Sequence, residues 1–237
     1  MRIVPVLFTA CLLLSCNKAC SQPVTDFAVK RDLMVREQLE TRGIKDQRVL
    51  SVMRKVERHL FVPSTLASVA YGDYPLQIGY GQTISQPYIV AFMSEALTLT
   101  PHMKVLEVGT GSGYQAAILA ELCDSVFTIE IVPELGHQAR KLLTILGYDN
   151  ILVKIGDGYQ GWAAHAPYQA IIVTCSPTHV PQPLIDQLDN GGKMIIPVGE
   201  RDSQVLVVLI KSKGTLKQKA VLPVRFVPMV DQKQREY

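Results

Sequence analysis

The chain has 237 residues, with 24 Lys+Arg against 21 Asp+Glu and a formal net charge of +3. That length fits one α/β domain with small additions, and 48% hydrophobic against 19% charged residues argues against disorder. The weak positive charge holds no Lys/Arg run, which argues against a dedicated nucleic-acid binder; no apolar stretch reaches the roughly 18 residues of a membrane helix; and Cys123 and Cys175, the only cysteines beyond residue 20, can build neither a disulfide scaffold nor a zinc cluster.

The N-terminus reads as a separate piece. Arg2 precedes a run from Ile3 to Leu14 that is apolar except for Thr9, and the run ends in Leu13-Leu14-Ser15-Cys16. A basic start, a short apolar run and a small residue before a cut site describe a secretory signal. The ending is similar to a bacterial lipoprotein box, in which Cys16 would carry the lipid. An uncleaved apolar extension, or a start placed too far upstream, is the other reading. Residues 17–28 would be a short tether.

The periodicity predicts an amphipathic helix over 29–41 with Val29, Leu33, Met34 and Leu39 apolar, closed by Gly43. Asp46 is a fitting N-cap for a second helix carrying Val49, Val52, Met53 and Val56. Tyr71 to Gln86 is rich in Gly, Pro and aromatic residues and reads as a long irregular loop, a kind of segment that often carries function. Pro87 opens a helix through Leu99. From Lys104 strands and helices alternate. Strands are expected at 105–108, 126–130, 151–155, 170–174 and 194–198. Helices are expected after Gly113 to Leu122, at 134–146, and at 181–188 with a stop at Gly191-Gly192. A closing hairpin takes 205–210 and 216–222 around Lys213-Gly214. This alternation predicts an α/β fold with a doubly wound, mostly parallel, Rossmann-like sheet and an N-terminal helical extension.

Three places carry chemistry. The first expected strand runs into Gly109-Thr110-Gly111-Ser112-Gly113, a turn that lets backbone approach a ligand closely. The dinucleotide fingerprint fails, because Tyr114 stands where its last glycine belongs, so a pyrophosphate cradle is disfavoured. Glu107 near that strand's end would instead suit a cationic ligand. Glu130 ends the next strand, where an acid can accept both hydroxyls of a ribose. Asp157, between Gly156 and Gly158 after the third strand, can accept from an adenine amino group. The five His are scattered with no metal spacing, and Ser112 lacks the Gly-x-Ser-x-Gly context of a hydrolase nucleophile, so no metal site is expected.

In this order the three places resemble the S-adenosylmethionine site of class I methyltransferases. The resemblance sharpens with Gly79-Tyr80-Gly81-Gln82-Thr83-Ile84-Ser85-Gln86-Pro87, Leu106 to Tyr114, and Gly191 to Gly199. With Arg42-Gly43-Ile44, Phe61-Val62-Pro63 and Val224-Arg225-Phe226-Val227-Pro228, the chain from about Val35 to Val230 is similar to the protein-L-isoaspartate O-methyltransferases. Thr83 to Pro87 is the specific element. The resemblance implies S-adenosyl-L-methionine as cofactor, held by Glu107, Gly109, Thr110, Gly111, Ser112, Gly113, Glu130, Asp157 and Gly158. It implies Ser85 as the active-site hydroxyl, with Thr83 and Ile84 beside it on the substrate. It further implies isoaspartyl peptides and proteins as partners, no nucleic acid, a monomer, and a cytoplasmic location, against which stands export and anchoring through Cys16.

The implied organisation is a signal-like segment at 1–16, a tether at 17–28, N-terminal helices and substrate loop at 29–100, a methyltransferase core at 101–230 and a polar tail at 231–237. The chain departs from the family at Gln169, where an acid is usual, at Cys175-Ser176, where small alanines are common, and in its N-terminal segment. Two other functions stay open at this level: a methyltransferase for a small-molecule carboxylic acid, and a non-catalytic envelope lipoprotein keeping the fold.

Overall fold

A computed structural model describes residues 27–237 other than 232 and 234; Cys16 and the signal-like segment lie outside the described residues. Helix α1 (Phe27–Leu33) continues as a π-helical stretch, Met34–Leu39, and a tight turn, Glu40–Arg42, where the sequence predicts one regular helix. The wider winding brings residues five apart onto one face, and Met34, Val35 and Leu39 are all buried. Val29 is left outside at 56% exposure, and Phe27 stacks on His59 with ring centroids 4.0 Å apart. Helix α2 (Gln47–Lys55) starts where Asp46 accepts from the amides of Arg48 and Val49, at 2.8 and 3.3 Å, as its capping position predicts.

The expected irregular loop holds a hairpin. Strands β1 (Leu76–Gly79) and β2 (Gln82–Ile84) pair antiparallel, with Leu76 opposite Ile84 and both buried. Strands of four and three residues are too short to display a two-residue period. Pro87 then opens α3 (Pro87–Ala96), which stops three residues before the predicted Leu99.

The remaining elements are β3 (Lys104–Val108), α4 (Tyr114–Ala120), β4 (Ser125–Glu130), α5 (Pro133–Ile145), β5 (Ile151–Ile155), β6 (Tyr168–Val173), α6 (Gln182–Gln187), β7 (Leu188–Val198), β8 (Gln204–Ser212) and β9 (Thr215–Val224). Seven strands form one sheet in the order β5-β4-β3-β6-β7-β8-β9. The five strands from β5 to β7 run parallel, and β8 and β9 add an antiparallel edge. The chain leaves β3 towards β4 and β5, then crosses back to β6. The carboxyl ends of β3 and β6 therefore flank the crevice where the connections part.

Strands β3 and β6 are covered on both faces, which is why they read as nearly unbroken apolar runs. On one face a single apolar cluster extends from Met34 to Leu206, so segments 29–100 and 101–230 share one core. The other face is covered by α6, the short turns Gly158–Gln160 and Ala163–His165, and Met229. Gly191-Gly192 does not end a helix. Strand β7 begins at Leu188, and a register shift between Tyr168↔Leu188 and Ala170↔Lys193 takes up residues 189–192 as a bulge. The free edge, β9, exposes Lys217 and Lys219, charges that discourage a further strand from adding. Gln169 accepts from the amide of Lys104 at 2.9 Å and donates to Asp189 at 2.9 Å. An acid there would face the Asp189 carboxylate, which accounts for the amide at this position.

Candidate active site

The glycine loop leaves β3 at the crevice and is tied on both sides. Towards β4, the amides of Gly109 and Thr110 donate to the Ile129 carbonyl at 2.9 and 3.2 Å. The Gly111 amide donates to Glu130 Oε2 at 2.7 Å, and Val132 donates to Oε1 at 2.9 Å. Towards β6, Thr174 Oγ1 donates to the Gly109 carbonyl at 2.7 Å. Two glycines are required by close approach. A Cβ on Gly109 would lie 2.4 Å from Thr174 Oγ1, and one on Gly158 2.3 Å from Val108 Cγ1.

These ties shape three connected spaces. A pocket of about 60 Å³ has Gly109, Gly111, Glu130 and Gly158 on its sheet side and residues 227–230 on the other. A recess of about 30 Å³ continues along the loop past Ser112 to Ser85. An apolar groove of about 730 Å³ opens beyond it, walled by Pro75, Ile89, Val224 and Phe226. Thr83, Ser85 and Thr174 line both the recess and the groove, so a donor in one and an acceptor in the other meet at these three residues. A separate cleft of about 600 Å³, bounded by Glu57, Glu121 and Asp149, shares no residue with them.

The residues singled out from sequence divide accordingly. Gly109, Gly111, Ser112, Glu130, Gly158, Thr83 and Ser85 line these connected spaces. Thr110 reaches the recess, but its hydroxyl lies 2.6 Å from that of Thr128 and the residue is 3% exposed. Ile84 is 4% exposed with its side chain in the core. Both can serve a ligand only through backbone. Gly113 starts α4 and sits against Leu143 and Ala139 of α5, away from the spaces. Asp157 is already engaged: Oδ1 accepts from the Tyr159 amide at 2.9 Å and Oδ2 from the Tyr237 hydroxyl at 2.6 Å.

Glu107 is not beside the crevice. It lies within β3, opposite Thr128 on β4 and Ile172 on β6, fully buried, and neither carboxyl oxygen has a hydrogen-bond partner among the described residues. Burial pushes its carboxyl up to about 8, which disfavours the charge it would offer a cation. Its alternation along the strand, not its nearness to the loop, decides this. Glu130 is also pushed up by burial, but the amides of Val132, Gly111 and Ile131 pull it back by bonding the charged form.

Sequence reasoning did not single out Thr174, which reads only as the end of an apolar strand. It also gave no role to Val224-Arg225-Phe226-Val227-Pro228, although that run carried part of the resemblance. Nothing local says that these residues return to wall the groove.

A doubly wound sheet whose switch point opens on a glycine loop lacking the dinucleotide fingerprint, with a buried acid closing the neighbouring strand, is the arrangement of class I methyltransferases. Within that class, the family model described as Protein-L-isoaspartate(D-aspartate) O-methyltransferase matches residues 29–234. The chain belongs to this family. A protein-L-isoaspartate O-methyltransferase of Picosynechococcus sp. is 55% identical over 213 residues, covering 90% of this chain and 94% of the relative. One of Gloeobacter violaceus is 54% identical over 205 residues, covering 86% and 100%. Among solved structures, a Plasmodium falciparum protein described as a protein-L-isoaspartate O-methyltransferase, in complex with S-adenosyl-L-homocysteine, superposes with a TM-score of 0.74 at 28% identity, covering 84% of this chain and 97% of that one.

The Glu107 placement makes stability depend on pH. Below its ordinary value of 4.5 the carboxyl is protonated in both folded and unfolded chains. Between 4.5 and about 8 only the folded chain keeps the proton, so rising pH favours unfolding. Glu107→Gln removes this dependence. Its Tm should exceed that of the wild type at pH 8.5 by at least about 2 °C, the shift that ~1 kcal/mol gives a domain of this size. The gap should close towards pH 4.5. Parallel pH profiles in thermal melts would place Glu107 in a solvated setting.

Proposed function

We propose that this chain transfers a methyl group from S-adenosyl-L-methionine to the free α-carboxyl of L-isoaspartyl residues, and in the broader reading D-aspartyl residues, of damaged peptides and proteins. The observation that carries the proposal is the shared wall of Thr83, Ser85 and Thr174 between the recess and the groove. The groove, about 730 Å³, is open to solvent and large enough to take a short peptide segment.

The donor side fits the cofactor by its chemistry. Glu130 presents a carboxylate whose backbone partners leave further lone pairs for ribose hydroxyls, and Gly109 and Gly158 keep clear the space that a Cβ would fill. When bound, the cofactor supplies an electrophilic methyl on a sulfonium.

An isoaspartyl link routes the backbone through the side-chain carboxyl and leaves a free α-carboxylate, which is ionised at pH 7 and already nucleophilic. No general base is needed. The carboxylate oxygen would accept the methyl group the bound cofactor supplies, with the electron pair of the broken carbon–sulfur bond remaining on sulfur. What the protein must supply is alignment and exclusion of water. The Ser85 hydroxyl forms no side-chain hydrogen bond among the described residues and stands between β2 and the first turn of α3. It can donate to one carboxylate oxygen and hold the other in line. A neutral donor orients the anion without quenching it as a Lys or Arg would. The resulting ester activates the carbonyl, and the neighbouring peptide nitrogen closes a succinimide, whose hydrolysis returns part of the chain to normal aspartate.

Two variants separate the roles. Ser85→Ala should lower turnover by roughly ten- to a thousandfold with cofactor affinity nearly unchanged. Glu130→Ala should weaken S-adenosylmethionine and S-adenosylhomocysteine alike by roughly 1–3 kcal/mol. Tritiated methyl transfer to paired peptides differing only in the isoaspartyl link, with calorimetry for the cofactor, reads both. Equal methylation of the paired peptides defeats the repair function, and full activity of Ser85→Ala defeats the role given to that residue.

Location follows from cofactor supply, since S-adenosylmethionine is made in the cytoplasm, and we place the enzyme there. Among the described residues no helix is long and apolar enough to cross a membrane. Leu13-Leu14-Ser15-Cys16 supports the second reading, export with a lipid on Cys16. Metabolic labelling with a fatty-acid probe decides between them. A cytoplasmic enzyme incorporates no label, whereas label lost in Cys16→Ser would establish the anchored form.

A further inference from the structure

The segment after β9 returns to the cofactor pocket and is fastened there. Ser176 donates to the Val227 carbonyl and accepts from the Met229 amide, both at 2.8 Å. Residues 227–230 thereby form the outer wall of the pocket whose inner wall holds Glu130 and Gly158. Further along, the Tyr237 amide donates to the Met229 carbonyl at 3.1 Å, and the Tyr237 carbonyl accepts from the Thr178 amide at 2.9 Å. Arg201 pairs with Glu236. The Tyr237 ring stacks on Tyr159, centroids 4.1 Å apart and planes at 20°, and its hydroxyl donates to Asp157 Oδ2 at 2.6 Å. Tyr237, in a tail polar by composition, is thus bound back onto the acid expected to meet adenine.

With this wall in place the pocket measures about 60 Å³, far below the roughly 300 Å³ at which pockets for drug-sized ligands begin. Residues 227–230 narrow the space an adenosyl group would take, and among the described residues the contacts of Tyr237 on Asp157, Tyr159, Met229 and Thr178 hold them there. We propose that Tyr237 is a positioning residue for the cofactor: it latches residues 227–230 over the adenosyl end of the site, holds the Asp157 carboxylate in place, and so sets the rate of cofactor exchange. The inference deepens the methyltransferase reading and rests on the cofactor site of that reading.

The test is the release rate of tritiated S-adenosylhomocysteine from the full-length protein, chased with excess unlabelled ligand. Tyr237→Ala removes both stack and hydrogen bond. It should speed release by about tenfold, since such contacts act chiefly on dissociation. KM for S-adenosylmethionine should rise, while KM for an isoaspartyl peptide stays unchanged. Tyr237→Phe keeps the stack and should fall between. Arg201→Ala loosens the same segment from outside the pocket and should also speed release, which guards against a local folding defect in the Tyr237 variants. Release within twofold of wild type in Tyr237→Ala, or slower release, overturns the latch. If Asp157→Asn binds S-adenosylhomocysteine as the wild type does while Tyr237→Ala still speeds release, the latch stands and the adenine role of Asp157 falls. A wild-type chain that binds no S-adenosylhomocysteine overturns the cofactor reading and the latch with it.

Discussion

The site depends on the Glu130 carboxylate, held by the amides of Gly111 and Val132. Two backbone donors on a nearly buried anion make charge-assisted bonds, roughly twice as strong as neutral ones. They join the end of β4 to the middle of the glycine loop and give the loop amide a partner where its neighbours bond Ile129. Thr174 does the corresponding work from β6 through the Gly109 carbonyl. The carboxyl ends of three adjacent strands are thus one rigid unit, and the Cα hydrogens of Gly109 and Gly158 fill places that leave no room for a methyl group.

The two glutamates at this edge show how little sequence distance decides ionisation. Glu130 is the last residue of its strand, where the amides of the following turn reach it. Glu107 is one residue short of its strand's end, and its side chain enters the sheet face shared with Thr128 and Ile172. Both are buried, yet only Glu130 has donors to hold its charge.

The acceptor side is assembled from segments more than a hundred residues apart in the chain. Hairpin β1–β2 and the first turn of α3 supply Thr83, Ser85 and Ile89, while Val224 and Phe226 close the opposite wall. Only Val224, at the end of the antiparallel edge strand β9, belongs to the sheet, and none lies in its parallel strand–helix units. In the proposed reading the sheet frame holds the donor and these two flanking segments hold the acceptor.

The sequence by itself determined the parallel strands and their crossover helices, because fully buried strands are continuously apolar and helices carry a 3.6-residue period. It also determined the turn at Gly109–Gly113 and the acid at 130, since each sits where an element visibly ends or begins, while Ser85 was singled out only through the family resemblance of Thr83 to Pro87. Tertiary structure alone decided the π-helical turn that leaves Val29 in solvent, the hairpin inside a patternless loop, and the bulge at residues 189–192. It also decided that Glu107 is buried within the sheet, that Thr174 joins the site, and that Tyr237 closes on Asp157. The reason is common to all six. Periodicity and capping are local and survive in the order of residues, whereas burial, charge state and hydrogen-bond partners depend on pairings between segments far apart in the chain.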